Sequence, residues 1–76
     1  MMLVVKYFLI EFDREHEQLL RLNEYANSME AIDERFRREL EIRDEDLEIV
    51  VLGAMNKEAL IRTHSRYFNQ NLELNI

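Results

Sequence analysis

The stretch LEIVVLGAMNKEALIRTHSRYF, residues 47–68, decides the fold because it places a strand-like run and a helix-like run on either side of the chain's single glycine. From Leu47 to Leu52, apolar side chains occupy both sides of an extended chain, and only Glu48 is polar. A run of this kind predicts a central strand that is covered on both faces, or one that is covered by helices on one face and by a partner on the other. Gly53 is expected to end this strand, because glycine suits a strand-to-helix turn.

A helix is predicted after the glycine, with Asn56 as its N-cap. Glu58 lies in the first turn, and Arg62 and Arg66 lie toward the C-terminal end, which is the order that the helix dipole favours. Apolar and aromatic residues recur at helical spacing, and we expect this side of the helix to face the sheet. Its members are Leu60, Ile61, His64, Tyr67 and Phe68.

The first part of the chain predicts a β-hairpin. Residues 3–12, LVVKYFLIEF, are rich in β-branched and aromatic residues on both faces, which predicts a long central strand. The polar segment 13–17 breaks this pattern, and residues 18–25 then fit either a second strand or the start of a helix of about 30 residues. We favour the strand, because such a helix would be about 45 Å long and because Asn23 and Asn27 suit turns and caps.

A further helix is predicted from Ser28, as its cap, to about residue 43. Its apolar residues recur at i, i+3, i+7 and i+11 and are expected to form its buried stripe: Met29, Ile32, Phe36 and Leu40. The other face is charged, with acid-first pairs four residues apart: Asp33 with Arg37, Glu34 with Arg38, and Glu39 with Arg43.

Together these elements predict a single small α+β domain over residues 1–76, in the order ββαβα with an optional final strand. We expect a sheet of three or four strands with two helices on one face. The optional strand or tail is residues 72–76, because Leu72, Leu74 and Ile76 alternate with polar residues. Since one sheet face would remain uncovered, we expect a homo-oligomer, most simply a homodimer, and assign these three residues as candidate contacts with an oligomer or partner.

Composition excludes several classes of function. The chain has no cysteine and a net charge of −6, from 16 acidic and 10 basic residues. The absence of cysteine excludes thiolate metal sites and thiol catalysis, and it fits a cytoplasmic protein. The acidic balance argues against direct binding to nucleic acid. The apolar opening is too short to span a membrane and lacks the features of a secretory signal.

His64, Arg66 and Tyr67 are the candidate residues for binding a ligand or a partner. A histidine beside hydroxyl groups and an arginine can act as a general base or bind an anion. No second motif completes a catalytic triad, so we expect a protein that is not an enzyme and that needs no cofactor or metal. His16 lies between two acids, which would raise its pKa if the groups are close, although a solvated turn is the simpler interpretation.

The leading functional hypothesis is a small protein-protein interaction or regulatory module that binds another protein or itself. The alternative is an acidic inhibitor, of the kind phages use, that imitates nucleic acid against a basic enzyme. That alternative predicts acidic side chains gathered on one face. A third hypothesis, a small-ligand binder, predicts a pocket that contains His64, Arg66 and Tyr67.

Overall fold

The computed structural model describes residues 4–42 and 45–68, and these follow the predicted order of elements. The three strands are β1 (Lys6–Asp13), β2 (Gln18–Tyr25) and β3 (Leu47–Ala54). The helices are α1 (Ser28–Glu41) and α2 (Lys57–Thr63), and a 3-10 turn at Ser65–Tyr67 follows α2. The α+β fold class is therefore confirmed, as is the hairpin in place of a long helix. The optional strand at residues 72–76 lies outside the described residues.

The sheet is antiparallel, with β1 at its centre in the order β2-β1-β3. The two-sided apolar pattern of β1 predicts this central place. Along β1 and β2 the register shifts between Glu11 and Phe12, which leaves Leu20 as the extra residue of a β-bulge. The prediction that β3 is a central strand is wrong, because β3 lies at the edge of the sheet although both of its faces are apolar.

One face of the sheet holds the main core. Phe8, Ile10 and Phe12 alternate along β1 and point to this face. Leu60 of α2 is fully buried against them, and two aromatic residues at the end of the described chain complete the cluster: Tyr67 and Phe68. This face is therefore covered by α2 and the 3-10 turn.

The opposite face of the sheet carries α1. Leu9 and Glu11 alternate with the core residues of β1, so they lie on this face, and both are buried. The buried residues of α1 are Ala31 and Arg38, and Arg38 bonds directly to Glu11. The prediction that both helices cover one face is wrong. α1 joins β2 to β3 by crossing β1 on one side, so α2 is left to cover the apolar residues of the other side.

The apolar residues predicted as the buried stripe of α1 point to solvent instead. Their exposed fractions are 62% for Met29, 37% for Ile32, 64% for Phe36 and 78% for Leu40. The sheet face below α1 contains a carboxylate, and a buried carboxylate is costly unless it is paired. The helix therefore turns its arginine toward the sheet, which carries the apolar residues to the outside.

The helix caps agree closely with the sequence pattern. The N-cap of α1 is Asn27 rather than Ser28, and its side chain accepts a hydrogen bond of 2.7 Å from Met29 N. Asn56 caps α2 as predicted, accepting a hydrogen bond of 2.7 Å from Ala59 N. Within the described ranges, no helix has the length and apolar character needed to cross a membrane.

Gly53 does not end β3, which continues to Ala54. Its φ is not positive, so no turn conformation requires a glycine there. A Cβ atom at this position would lie 3.3 Å from Val5 Cγ1 and 3.6 Å from Tyr7 Cε1. The glycine instead makes room for side chains that precede and begin the neighbouring strand.

Candidate functional site

The outer side of α1 carries a group of exposed apolar side chains. The described residues include eight large hydrophobic residues that are exposed, and four of these eight belong to the 14-residue helix α1. Single exposed apolar residues are ordinary, but a set that shares one side of a helix forms a patch. We call this patch the α1 stripe: Met29, Ile32, Phe36 and Leu40.

The α1 stripe is held outward by a polar network on the inner side of the helix. Arg38 donates from Nη1 to Glu11 Oε1 at 3.0 Å, from Nη2 to Asn23 Oδ1 at 2.8 Å and from Nε to Glu34 Oε2 at 3.0 Å. All three guanidinium nitrogens are thus bonded. Rolling the helix to bury the stripe would leave Glu11 buried without its base, so the network opposes that rotation.

Sequence reasoning found the residues of the stripe but assigned them to the core. Helical spacing shows that these residues share a side of the helix, and it does not show which side meets the sheet. The available signal was Glu11, an acid in the middle of a strand that is otherwise almost entirely apolar. A buried acid at that position requires a base from the element packed above it.

Asp33 and Arg37 lie along one flank of the α1 stripe, and Arg35 and Glu39 lie along the other flank, where they pair at 3.3 Å. Asp33 is exposed toward the N-terminal half of the helix, and Arg37 is exposed toward the C-terminal half. The predicted pair between them does not form, because Arg37 Nη1 bonds Glu34 Oε1 at 3.0 Å. The predicted pair of Glu34 with Arg38 is confirmed. The stripe is therefore flanked by charges of opposite sign at different heights along the helix.

Two of the three predicted binding residues meet near the start of β3. Tyr67 donates from its hydroxyl to Glu48 Oε2 at 2.6 Å, and Arg66 donates from Nη2 to Glu48 Oε1 at 3.1 Å. The Arg66 guanidinium carbon lies 4.8 Å from the Tyr67 ring centre, and the Phe12 ring packs edge-on at 5.1 Å. The pKa of Tyr67 is raised, mainly because its hydroxyl is partly buried and also because of its hydrogen bond to Glu48. The cluster joins the 3-10 turn to β3.

His64, the third of these residues, ends α2 as its C-cap. Its backbone N–H donates to Leu60 O at 2.9 Å, and its side chain is half-buried. The ring takes no part in the hydrogen bonds around Glu48. A surface pocket that is described at the end of α1 and the start of β3 involves none of the three predicted residues, and its lining is Glu39, Ile42, Leu47 and Ile49. The candidate contacts Leu72, Leu74 and Ile76 lie outside the described residues.

The turn between β1 and β2 brings together Asp13, Glu15 and His16. One carboxylate oxygen or ring nitrogen of each residue, the atoms that could bind a metal ion, lies within 4.8 Å of the others. Asp13 Oδ1 accepts hydrogen bonds from the backbone N–H groups of Glu15 and His16, at 3.0 and 3.2 Å. Asp13 Oδ2 lies 2.7 Å from His16 Nδ1. This bond raises the pKa of His16 and lowers that of Asp13. Both carboxylate oxygens of Asp13 thus bond to residues of the turn, so these three residues stabilise the β-hairpin.

Several acidic side chains of the described residues take part in ion pairs. Six of them pair with basic side chains, and these six are spread over all three strands and α1: Glu11, Asp13, Glu24, Glu34, Glu39 and Glu48. A protein that imitates the charge of nucleic acid needs a continuous acidic surface. The six paired acids do not form such a surface by themselves, and that hypothesis stays a prediction.

The α1 stripe is therefore the surface on which a functional assignment rests. The polar clusters around Arg38, Glu48 and Asp13 bond mainly within themselves. Comparison with protein-family models, curated proteins and solved structures finds no match for this chain.

Proposed function

We propose that this protein is a non-enzymatic protein-protein interaction module that binds its partner through the α1 stripe. The observation that carries this proposal is the exposure of four large apolar side chains on one side of α1. Apolar surface in water costs about 25 cal/mol per Å², and monomeric proteins rarely leave a large continuous patch exposed. A partner that covers the stripe would recover this free energy.

The stripe has the form of a helix-recognition surface. Its residues recur at i, i+3, i+7 and i+11, which is the spacing of anchor residues when one helix packs on another or lies in a groove. Phe36 lies within the stripe and offers an aromatic anchor of the kind that dominates binding energy at interfaces. Met29 adds an adaptable apolar contact at one end.

The polar network below α1 gives the proposed surface its rigidity. Arg38 and Glu11 hold the inner side of the helix against the sheet, with side chains that are each 9% exposed. A surface that is held in place before binding loses little conformational freedom when its partner arrives. This arrangement favours a permanent binding surface over a segment that orders only on contact.

A photo-reactive amino acid tests the proposal in cells that express the chain. We expect position 36, carrying p-benzoylphenylalanine, to form protein adducts on illumination. Leu20 is the matched control position, because it is also a large exposed apolar residue but belongs to β2 and not to the α1 stripe. The variant Phe36→Ser with Leu40→Ser, probed at position 32, should lose the adducts while its far-ultraviolet spectrum stays unchanged.

Two outcomes would overturn the proposal. One is the absence of any protein adduct from position 36 when the labelled chain is folded. The other is an adduct from position 32 that survives the serine substitutions, because a partner bound through charge alone would tolerate the loss of apolar surface.

A further inference from the structure

We infer that the partner of the α1 stripe is a second copy of this chain, docked as an antiparallel pair of α1 helices. This inference rests on the proposed function and adds the identity of the partner. A two-fold symmetric contact requires a surface that is complementary to itself. The α1 stripe and the two charges along one of its flanks, Asp33 and Arg37, meet this requirement.

The apolar residues fit a two-fold axis near the middle of the helix. Met29 and Leu40 are equidistant from a point between residues 34 and 35. A two-fold axis that passes between two antiparallel α1 helices at this height places Met29 of one copy beside Leu40 of the other, at both ends of the contact. Phe36 lies within about 3 Å of the axis along the helix, so the two Phe36 rings meet at the centre.

The charged residues fit nearly the same axis. Asp33 and Arg37 are equidistant from residue 35, which differs from the apolar centre by about 0.8 Å along the helix. An antiparallel pair therefore brings Asp33 of each copy next to Arg37 of the other. In a parallel pair, this flank of one helix would meet the opposite flank of the second copy, so the two contacts between Asp33 and Arg37 would not form.

Arg37 can make this contact without giving up its bond within the chain. Its side chain is 67% exposed, and only one contact to Glu34 is made through Nη1. A guanidinium group carries five N–H donors in a planar fork, so donors remain for the carboxylate of Asp33 in the second copy. Each dimer would contain two such contacts.

Charge reversal tests both the partner and the orientation. Sedimentation equilibrium of the purified chain over a range of concentrations should show a monomer and dimer in exchange. Asp33→Arg and Arg37→Asp should each raise the dissociation constant about tenfold, because each creates two like-charge contacts. The double variant should restore the wild-type constant. Matched controls are Glu58→Arg and Arg62→Asp, which make the same charge changes on α2 and should leave association unchanged.

Several outcomes would overturn the inference. A chain that stays monomeric at every concentration has no self-partner, and a dimer that is unaffected by Phe36→Glu uses another surface, such as the open edge of β3. A double variant that fails to recover excludes the antiparallel contact. If the chain is monomeric and position 36 cross-links to a different protein, self-pairing is refuted but the proposed function is not. The absence of all adducts from position 36 refutes the proposed function as well.

Discussion

Arg38 Nη1 in α1 donates to Glu11 Oε1 in β1 over 3.0 Å, and each of the two side chains is only 9% exposed. This single pair fixes the rotation of α1 about its axis. Because the arginine must face the sheet to neutralise the acid, the apolar residues of the helix face away from it. The exposed α1 stripe is therefore a consequence of one acidic residue in the central strand.

Removing one member of this pair should be far more harmful than removing both. We expect Arg38→Ala to lower the free energy of unfolding by about 3 to 5 kcal/mol, because it leaves a buried carboxylate without a base. The combination of Arg38→Met with Glu11→Leu should recover most of this loss. Urea unfolding that is monitored by circular dichroism measures the loss in the single variant and its recovery in the double variant.

The control for that series is Arg35→Ala. Arg35 pairs with Glu39 at 3.3 Å on the exposed side of the helix, and such pairs contribute about 0 to 1 kcal/mol. If Arg38→Ala lowered the free energy of unfolding no more than Arg35→Ala, the pair of Arg38 and Glu11 would not determine the rotation of α1.

The rotation of α1 can be tested by truncating residues on its two sides. Phe36→Ser and Leu40→Ser should each change the free energy of unfolding by less than about 0.5 kcal/mol, at concentrations where the chain is monomeric, because both side chains are in water. Leu60→Ala should cost about 2 to 5 kcal/mol, because Leu60 is fully buried. If Phe36→Ser lowered the free energy of unfolding as much as Leu60→Ala, the stripe would be buried, as the sequence pattern predicts, and not exposed.

The pair of Asp13 and His16 should make the hairpin turn sensitive to pH. Since the pKa of His16 is raised above 6.5, its contribution is fully present below pH 6.5 and is lost as pH rises through the folded-state value. Since the pKa of Asp13 is lowered below 3.8, its contribution is present above pH 3.8 and is lost as pH falls through the folded-state value. The turn is therefore most stable in the acidic range between these limits.

A proton NMR titration of the His16 ring measures this effect. Asp13→Asn should return the pKa of His16 toward 6.5, because the hydrogen bond to Asp13 is the main cause of the shift. Glu24→Gln is the control, since it removes one negative charge far from the turn, where Glu24 pairs with Lys6. An equal response to both substitutions would attribute the shift to net charge instead of the turn geometry.

The hydrogen bond from Tyr67 to Glu48 should stabilise the end of the described chain. Tyr67→Phe removes a bond of 2.6 Å to a carboxylate and should lower the free energy of unfolding by about 1.5 kcal/mol. The same substitution in a Glu48→Ala background should cost clearly less. If the two costs were equal, the bond would contribute nothing to stability.

The strands could be predicted because their sequences carry the information locally. β1 and β3 have apolar residues on both faces, and in the structure each face of the sheet carries a helix. The sequence predicts the cap Asn56, whose side chain bonds a backbone N–H three residues later, whereas it predicts the cap of α1 at Ser28, one residue after the observed cap Asn27. Such short-range signals require no knowledge of the tertiary fold.

The rotation of α1 and the partner of Tyr67 could not be predicted in the same way. Helical spacing grouped the stripe correctly, but its direction depends on Glu11, which is 27 residues from Arg38 in sequence. The bond of Tyr67 to Glu48 joins residues 19 apart. Both contacts exist only once the chain has folded, so they are absent from any local pattern.

Disulfide trapping tests most directly whether the α1 stripe is the binding surface between two copies. The chain has no cysteine, so single introduced cysteines report only on the chosen positions. We expect Phe36→Cys to form a linked homodimer under mild oxidation, and Met29→Cys to link with Leu40→Cys when the two variants are mixed. Leu40→Cys alone should stay unlinked, because its two copies would lie about 16 Å apart and a disulfide spans at most about 7 Å between Cα atoms. Efficient linkage of Leu40→Cys to itself, or no linkage at any of the three positions, would contradict the antiparallel dimer.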